Sequence, residues 1–259
     1  MLDAPSLAAI SAGLHDPRLW IVAAIALGGG VIRGFSGFGG ALIFIPLVAA
    51  VLGPRMAVPL FYMSDMFTAS PWGLRNVRRC DWRAMAPILA GTMLLLPFGA
   101  LILASVDPLK LRWITAALVL LMLVLLATGW RYPTAPTAPV SFAVGSTAGL
   151  MGGATGITGP LVIAYWLGSP ANAALVRVNI IVFYAISSLF TDVIYFWRGL
   201  FTWEVVGFAI VSAPLYALGL TVGARLFNRT SEKSYRRAAL GLIAASSFIS
   251  LPLFDGLLR

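Results

Sequence analysis

Long apolar stretches occupy most of this sequence, and they constrain its fold more than any other feature. Four segments, at about 84–105, 109–130, 203–226 and 235–254, carry charged residues only near their ends. Because an apolar helix of about 20 residues crosses the roughly 30 Å hydrocarbon core of a bilayer, each segment predicts a transmembrane helix. Charged residues are only 10% of the 259 residues, against about 25% in average soluble domains. The sequence therefore predicts an all-α, polytopic helical membrane protein.

Two further segments, at about 55–75 and 171–197, are long enough to cross but contain polar groups in their interiors. This combination favours helices that face the bundle or a cavity rather than lipid. All eight tryptophans lie near segment ends, which predicts an aromatic belt at the membrane interfaces. Residues 1–18 have no basic region ahead of an apolar core, so we expect no removable signal peptide.

Two glycine-rich runs interrupt the remaining apolar stretches. The stretch 19–52 is broken by Gly34–Gly40, and the stretch 140–168 is broken by Gly152–Pro160. Glycine costs a helix roughly 1 kcal/mol per residue relative to alanine, so runs of this density predict breaks. The pieces that follow, about 41–52 and 161–168, are too short to cross. Each stretch is therefore predicted to be a hairpin or a discontinuous helix whose tip lies inside the membrane.

The two breaks are related to each other. The run Gly37–Gly40 aligns with Gly156–Gly159 at an offset of 119 positions, and Trp82 aligns with Trp203 at an offset of 121. The segments also follow in the same order in both halves. We therefore expect one transmembrane domain over residues 1–259, with repeats at about 17–130 and 139–255. Each repeat would contain a broken or re-entrant hairpin plus three transmembrane helices.

Positive charge predicts the orientation of the two repeats. Half of the 18 lysines and arginines lie in the loops 75–83 and 225–237, and the positive-inside rule places both loops in the cytoplasm. These loops occupy different positions in the two halves, so the repeats are predicted to be inverted. Inverted repeats with breaks near the midplane are an architecture of secondary transporters.

Broken helices expose unpaired N–H groups and the positive ends of helix dipoles, which attract anions. Arg33 lies beside the first break, where a buried guanidinium could bind an anion in a bidentate manner. Alternatively, the small residues only allow tight helix crossing, and Arg33 snorkels or pairs with a carboxylate. The candidate substrate-binding residues are Arg33, Ser36, Gly37, Gly39, Gly40, Thr155, Gly156, Thr158 and Gly159.

Asp65 lies near the middle of the predicted helix over 55–75 and could carry a coupling proton. The alternative is a structural ion pair with Arg33. Arg177 and Asp192 lie nearer to helix ends, and we expect them to be interfacial. The candidates for proton coupling or cavity lining are Asp65, Tyr62, Ser64, Asn179, Tyr184 and Ser187.

The glycine-rich break followed by an apolar run to Pro46, the basic loop that ends in Asp81-Trp82, and the second glycine-rich run resemble the TauE/SafE sulfite exporter family. The resemblance covers about residues 20–255. It implies a transporter of the bacterial inner membrane for sulfite, sulfonates and related organosulfur anions. The glycine-rich segments of that family would correspond here to Gly37, Gly39, Gly40, Gly153, Gly156, Gly159 and Pro160.

The hypothesis that follows is secondary transport of a small anion by alternating access, linked to protons or to the membrane potential. A passive anion channel and a non-transporting membrane assembly protein remain alternatives. Gly34-Phe35-Ser36-Gly37 matches the motif of rhomboid-type proteases, but the single histidine, His15, precedes the first apolar stretch, so an enzyme is not expected. We expect no metal, no cofactor and no nucleic-acid partner, and the sequence does not indicate an oligomeric state.

Overall fold

The computed structural model describes residues 4–36, 39–68, 73–128, 137–167 and 173–227, with a few positions between 241 and 251. Within these ranges the chain is helical and forms no β-strand, which confirms the all-α fold class. The helices are α1 (Ala4–His15), α2 (Leu19–Ser36), α3 (Gly40–Leu52), α4 (Pro54–Met66), α5 (Trp82–Ser105), α6 (Pro108–Thr128), α7 (Ala138–Thr155), α8 (Gly159–Leu167), α9 (Ala173–Trp197) and α10 (Trp203–Phe227), with a 3-10 helix over Val77–Arg79.

Four of the described helices are long and apolar enough to cross a membrane. These spans are Trp82–Ser105, Pro108–Leu125, Leu175–Trp197 and Trp203–Leu226. They confirm the predicted helices at 84–105, 171–197 and 203–226, and the described part of the one at 109–130. A fifth span results if α1 and α2, which meet at a bend of 78°, are counted as one broken span. The predicted helix at 235–254 lies almost entirely outside the described residues.

The predicted single helix over 55–75 is wrong. The helix that starts there, α4, ends at Met66 after 13 residues, and at 1.5 Å per residue it extends only about 20 Å. Gly53, with a φ of 86°, reverses the chain directly before Pro54, and α4 packs back against α3. Residues 40–66 therefore form a hairpin of two short helices, and α4 is not the start of a transmembrane helix over 55–75.

Both glycine-rich runs interrupt helices, as predicted. The first break separates the end of α2 at Ser36 from the start of α3 at Gly40, and the second separates α7 from α8. At the second break Gly156 has a φ of 74° and donates its N–H to the carbonyl of Gly152. This left-handed conformation, which glycine adopts without steric cost, ends α7.

The two largest helix interfaces pair each broken helix with a long span from the other half of the chain. Helix α7 packs along α5, and α2 packs along α10. A side chain at Gly149 would overlap the carbonyl oxygen of Thr92, and one at Gly30 would overlap that of Tyr216. Small residues allow backbones to approach this closely, which is how helices gain packing energy in a membrane. Close glycine contacts therefore hold the broken helices in place.

The tryptophans predicted to form an aromatic belt differ in their exposure. Trp20, Trp82, Trp113, Trp197 and Trp203 are exposed, as an interfacial belt requires, whereas Trp166 is buried. The Trp166 ring packs edge-on against Phe183 in the core, because α8 is a short helix enclosed by its neighbours rather than the end of a span. Trp72 and Trp130 lie outside the described residues.

Candidate functional site

A cavity lies where the two broken segments meet. The first segment contributes Gly39, Ala41 and Leu42 to its lining, and the second contributes residues 156–159. Its volume is about 20 Å³, a little more than the roughly 10–15 Å³ that one water molecule requires. The remaining lining residues come from α2, α4 and α9, and they are Arg33, Phe61, Tyr62, Asp65, Tyr184 and Ser188.

Two helix N-termini face this cavity. Helix α3 begins at Gly40, directly after Gly39 with a φ of 90°, and α8 begins at Gly159. The first N–H groups of a helix have no partner within that helix, and the helix dipole places partial positive charge there. The site therefore attracts negative charge through its backbone alone.

A buried ion pair borders the cavity on one side. The Arg33 Nη2 donates to Asp65 Oδ2 at 3.0 Å, and the two side chains are 8% and 1% exposed. The Tyr216 hydroxyl, from α10, donates to Asp65 Oδ1 at 3.1 Å. Both carboxylate oxygens of Asp65 thus accept a hydrogen bond, which is the condition under which a buried charge is tolerated.

Tyr184 carries a polar group with no partner. Its hydroxyl oxygen is buried and finds no hydrogen-bond partner among the described residues. A side chain at Gly159 would overlap this oxygen, so the hydroxyl lies directly beside the N-terminus of α8. The Arg33 guanidinium carbon lies 5.2 Å from the centre of the Tyr184 ring, a cation–π distance. A buried hydroxyl beside a cation and a helix N-terminus is a donor ready for an anion.

Aromatic rings form a rigid wall beside the ion pair. The rings of Phe61 and Tyr216 meet edge-on with centroids 6.0 Å apart, and those of Tyr62 and Tyr195 with centroids 5.5 Å apart. Edge-to-face pairs of this kind contribute about 0.5–1.5 kcal/mol beyond their buried area. These aromatic side chains place apolar surface beside the polar groups of the cavity.

The structure brings together many of the candidates chosen from the sequence. Those that line the cavity are Arg33, Gly39, Tyr62, Asp65, Gly156, Thr158, Gly159 and Tyr184. Gly40 lies immediately behind them, where a side chain would come within 2.8 Å of the Tyr216 hydroxyl. The Ser36 side chain and Gly37 lie outside the described residues.

Other candidates lie elsewhere. The Thr155 hydroxyl donates to the Met151 carbonyl at 2.8 Å, so it points back along its own helix. Ser64 does the same on α4, donating to the Leu60 carbonyl at 2.8 Å. Neither of these residues lines the cavity.

Ser187 and Asn179, both on α9, are also absent from the lining. The Ser187 hydroxyl donates to the Tyr184 carbonyl at 3.3 Å. The Asn179 side-chain oxygen accepts the backbone N–H of Asp81 at 2.9 Å and so ties α9 to the start of α5. Helical rotation, which composition does not reveal, turns these polar groups away from the cavity.

Sequence reasoning missed Tyr216 and did not predict the burial of Asp192. A tyrosine inside the otherwise apolar span of α10 was the available signal for Tyr216. Asp192 lies near the end of α9, as expected, but its side chain is 5% exposed and neither of its carboxylate oxygens has a hydrogen-bond partner among the described residues. A buried ionised carboxylate without a partner costs several kcal/mol, so this residue requires an explanation.

Comparison with known proteins gives a consistent assignment. Residues 22–249 match the family described as sulfite exporter TauE/SafE. A protein of Cupriavidus necator named probable sulfite/organosulfonate exporter TauE is 27% identical over 231 residues, which cover 84% of this chain and 88% of that protein. No solved structure gives a significant match. The family match includes both helix breaks and every residue that lines the cavity.

Proposed function

The chain belongs to the TauE/SafE sulfite exporter family, and from this premise we propose that it is a secondary transporter of sulfite or an organosulfonate. The family is one of transporters, and the apolar helices indicate a multi-pass membrane protein. We place it in a bacterial inner membrane with the loops 75–83 and 225–237 in the cytoplasm, following their positive charge.

The observation that carries this proposal is the composition of the cavity. Two helix N-termini, the Arg33 guanidinium and the unpartnered Tyr184 hydroxyl converge there. Each of these groups is a donor or a partial positive charge, as a small oxyanion with several acceptor oxygens requires. The backbone donors do not depend on any one side chain, so the site could accept anions that differ in their organic part.

The packing of the helices supports the two repeats predicted from the sequence, and their proposed inversion rests on the charge of the loops. Gly30 contacts the carbonyl of Tyr216 and Gly149 contacts that of Thr92. The two glycines are 119 positions apart and the two carbonyls are 124 positions apart, close to the offsets of the repeats themselves. Each half thus holds the broken helix of the other in the same way.

Movement of one repeat against the other around the cavity is the proposed transport step. The cavity lies between segments from both halves, so such a movement would change the side from which an anion can enter. An arriving anion would compete with Asp65 for Arg33, which links occupancy of the site to an ion pair that joins α2 to α4.

Uptake of labelled sulfite into proteoliposomes tests the proposal. We expect saturable uptake by the wild-type protein, strongly reduced uptake by the double variant Arg33→Met, Asp65→Asn, and normal uptake by Arg177→Gln. Arg177 is the matched control, since it is an exposed arginine on α9. Absence of uptake of sulfite and of sulfonates by folded wild-type protein would overturn the proposal. Flux that rises linearly with concentration would favour a channel instead.

A further inference from the structure

Asp192 belongs to the same helix face as the cavity. Tyr184 and Ser188 line the cavity, and Asp192 follows Ser188 by four residues, as Ser188 follows Tyr184. Positions four apart lie above one another on a helix, and each such step advances about 6 Å. Asp192 therefore lies one helical turn beyond the cavity, on the side of α9 that faces it.

The described titratable groups that act on Asp192 come from two helices. Asp65 and Tyr62 on α4 interact with it electrostatically, and so does Tyr195 on α9 itself. The Tyr195 hydroxyl already donates to the Gly153 carbonyl at 2.8 Å. The charge of Asp65 is balanced by Arg33. The negative charge of an ionised Asp192 would therefore have no counterpart in this group.

The other described elements packed against α9 do not supply that counterpart. On α8, Tyr165 shares a hydrogen bond with Ser141 at 2.7 Å. The arginines of the 3-10 helix and of the start of α5 lie toward the opposite end of α9, where Asn179 binds Asp81. Asn179 and Asp192 are 13 positions apart, which is about 20 Å along a helix.

We propose that Asp192 is a proton-binding site whose protonation accompanies anion binding in the cavity. This inference rests on the proposed transport function. A proton on one of the Asp192 oxygens removes the uncompensated negative charge, and no other atom changes its bonding.

The two binding events reinforce each other through charge. An anion in the cavity adds negative charge near Asp192, which favours the protonated form, and a neutral Asp192 in turn favours the anion. This coupling is reciprocal, as any linkage between two binding equilibria must be.

Infrared spectroscopy tests the proton site independently of any substrate. Wild-type protein at neutral pH should show the carbonyl band of a protonated carboxylic acid in an apolar environment. The band should disappear in Asp192→Asn, persist in the control Asp107→Asn, whose carboxylate is exposed, and return in Asp192→Glu. A wild-type spectrum without this band, or a band unchanged in Asp192→Asn, would overturn the assignment.

Proton uptake during anion binding tests the coupling. Methanesulfonate is the probe, because its charge is constant near neutral pH and any proton taken up must bind to the protein. Wild-type protein in weakly buffered detergent solution, held at the higher pH where half of this infrared band is lost, should take up protons as the probe binds, and Asp192→Asn should bind the probe without proton uptake. Equal uptake by both proteins would refute the coupling. If wild-type protein binds neither methanesulfonate nor sulfite, the transport function and the coupling both fail, while the infrared result still decides whether Asp192 holds a proton.

Discussion

The Arg33–Asp65 pair allows the folding role of these residues to be separated from their role in transport. The perturbation is a double-mutant cycle of Arg33→Met, Asp65→Asn and the two combined. Each single variant removes one member of the pair and leaves the other member buried inside the bundle without its partner. The double variant removes both charges and leaves no charge to be compensated.

The expected magnitudes follow from the burial of the pair. The side chains are 8% and 1% exposed and joined at 3.0 Å, and removal of one partner from a buried pair costs about 3–5 kcal/mol. Taking the lower figure, each single variant loses about 3 kcal/mol, or roughly a hundredfold in the folding constant. Replacing a buried pair by neutral side chains is far less costly, so the double variant should lose no more than about 3 kcal/mol.

Reversible unfolding in mixed micelles by added SDS, followed by circular dichroism, measures these free energies. The sum of the single losses should exceed the double loss by at least about 3 kcal/mol. The double variant should then be folded yet unable to bind sulfite in an equilibrium assay, because Arg33 is gone. Additive losses would refute the ion pair as a structural element. Normal sulfite binding by the double variant would remove Arg33 from the anion site.

Three further predictions concern packing, the cavity and topology. Gly149→Ala should destabilise the protein by about 1–3 kcal/mol, because the methyl group overlaps a carbonyl oxygen of α5. Gly28→Ala is the control, because a side chain at Gly28 would have open space around it; it should leave the SDS midpoint unchanged or raised. Equal losses of stability in the two variants would contradict the close packing at Gly149. Tyr184→Phe should weaken sulfite binding by about 1.5–3 kcal/mol, the contribution of a hydrogen bond to a charged group, with an unchanged unfolding midpoint; unaltered affinity would exclude the hydroxyl from the site. Cys80, the one cysteine in the sequence, should react with an impermeant maleimide in inside-out but not right-side-out vesicles. Burial raises the pKa of its thiol, so labelling should be slower than that of a free thiol at neutral pH and should accelerate as the pH rises. Labelling in right-side-out vesicles would contradict the topology.

The helix breaks could be predicted because their cause is local. Glycine density at Gly34–Gly40 and Gly152–Pro160 disfavours helix wherever the segments lie in the fold. The short length of α4 was missed because 55–75 reads as one apolar run with polar interruptions. The structure begins this helix after the reversal at Gly53, ends it at Met66 and packs it against α3.

The polar contacts of the site were predictable only in part. The sequence left two interpretations of Asp65, a carrier of a coupling proton or a structural ion pair with Arg33, and the pairing was one of them. The donation from Tyr216 to Asp65 joins residues 151 positions apart, and it depends on how α10 is rotated about its axis. Asp192 was expected at a membrane interface because it lies near a helix end, and the sequence did not show that its side chain is buried within the protein. Its burial follows instead from which face of α9 turns toward α4.

Counterflow of sulfite tests the central claim, an alternating-access anion site between the two helix breaks, most directly. Proteoliposomes loaded with unlabelled sulfite and diluted into labelled sulfite should show a transient accumulation of label above its equilibrium level. The overshoot should be absent from liposomes that contain the folded double variant Arg33→Met, Asp65→Asn. Label that rises to equilibrium without an overshoot in wild-type liposomes would contradict alternating access, and an overshoot that survives in the double variant would place the site elsewhere.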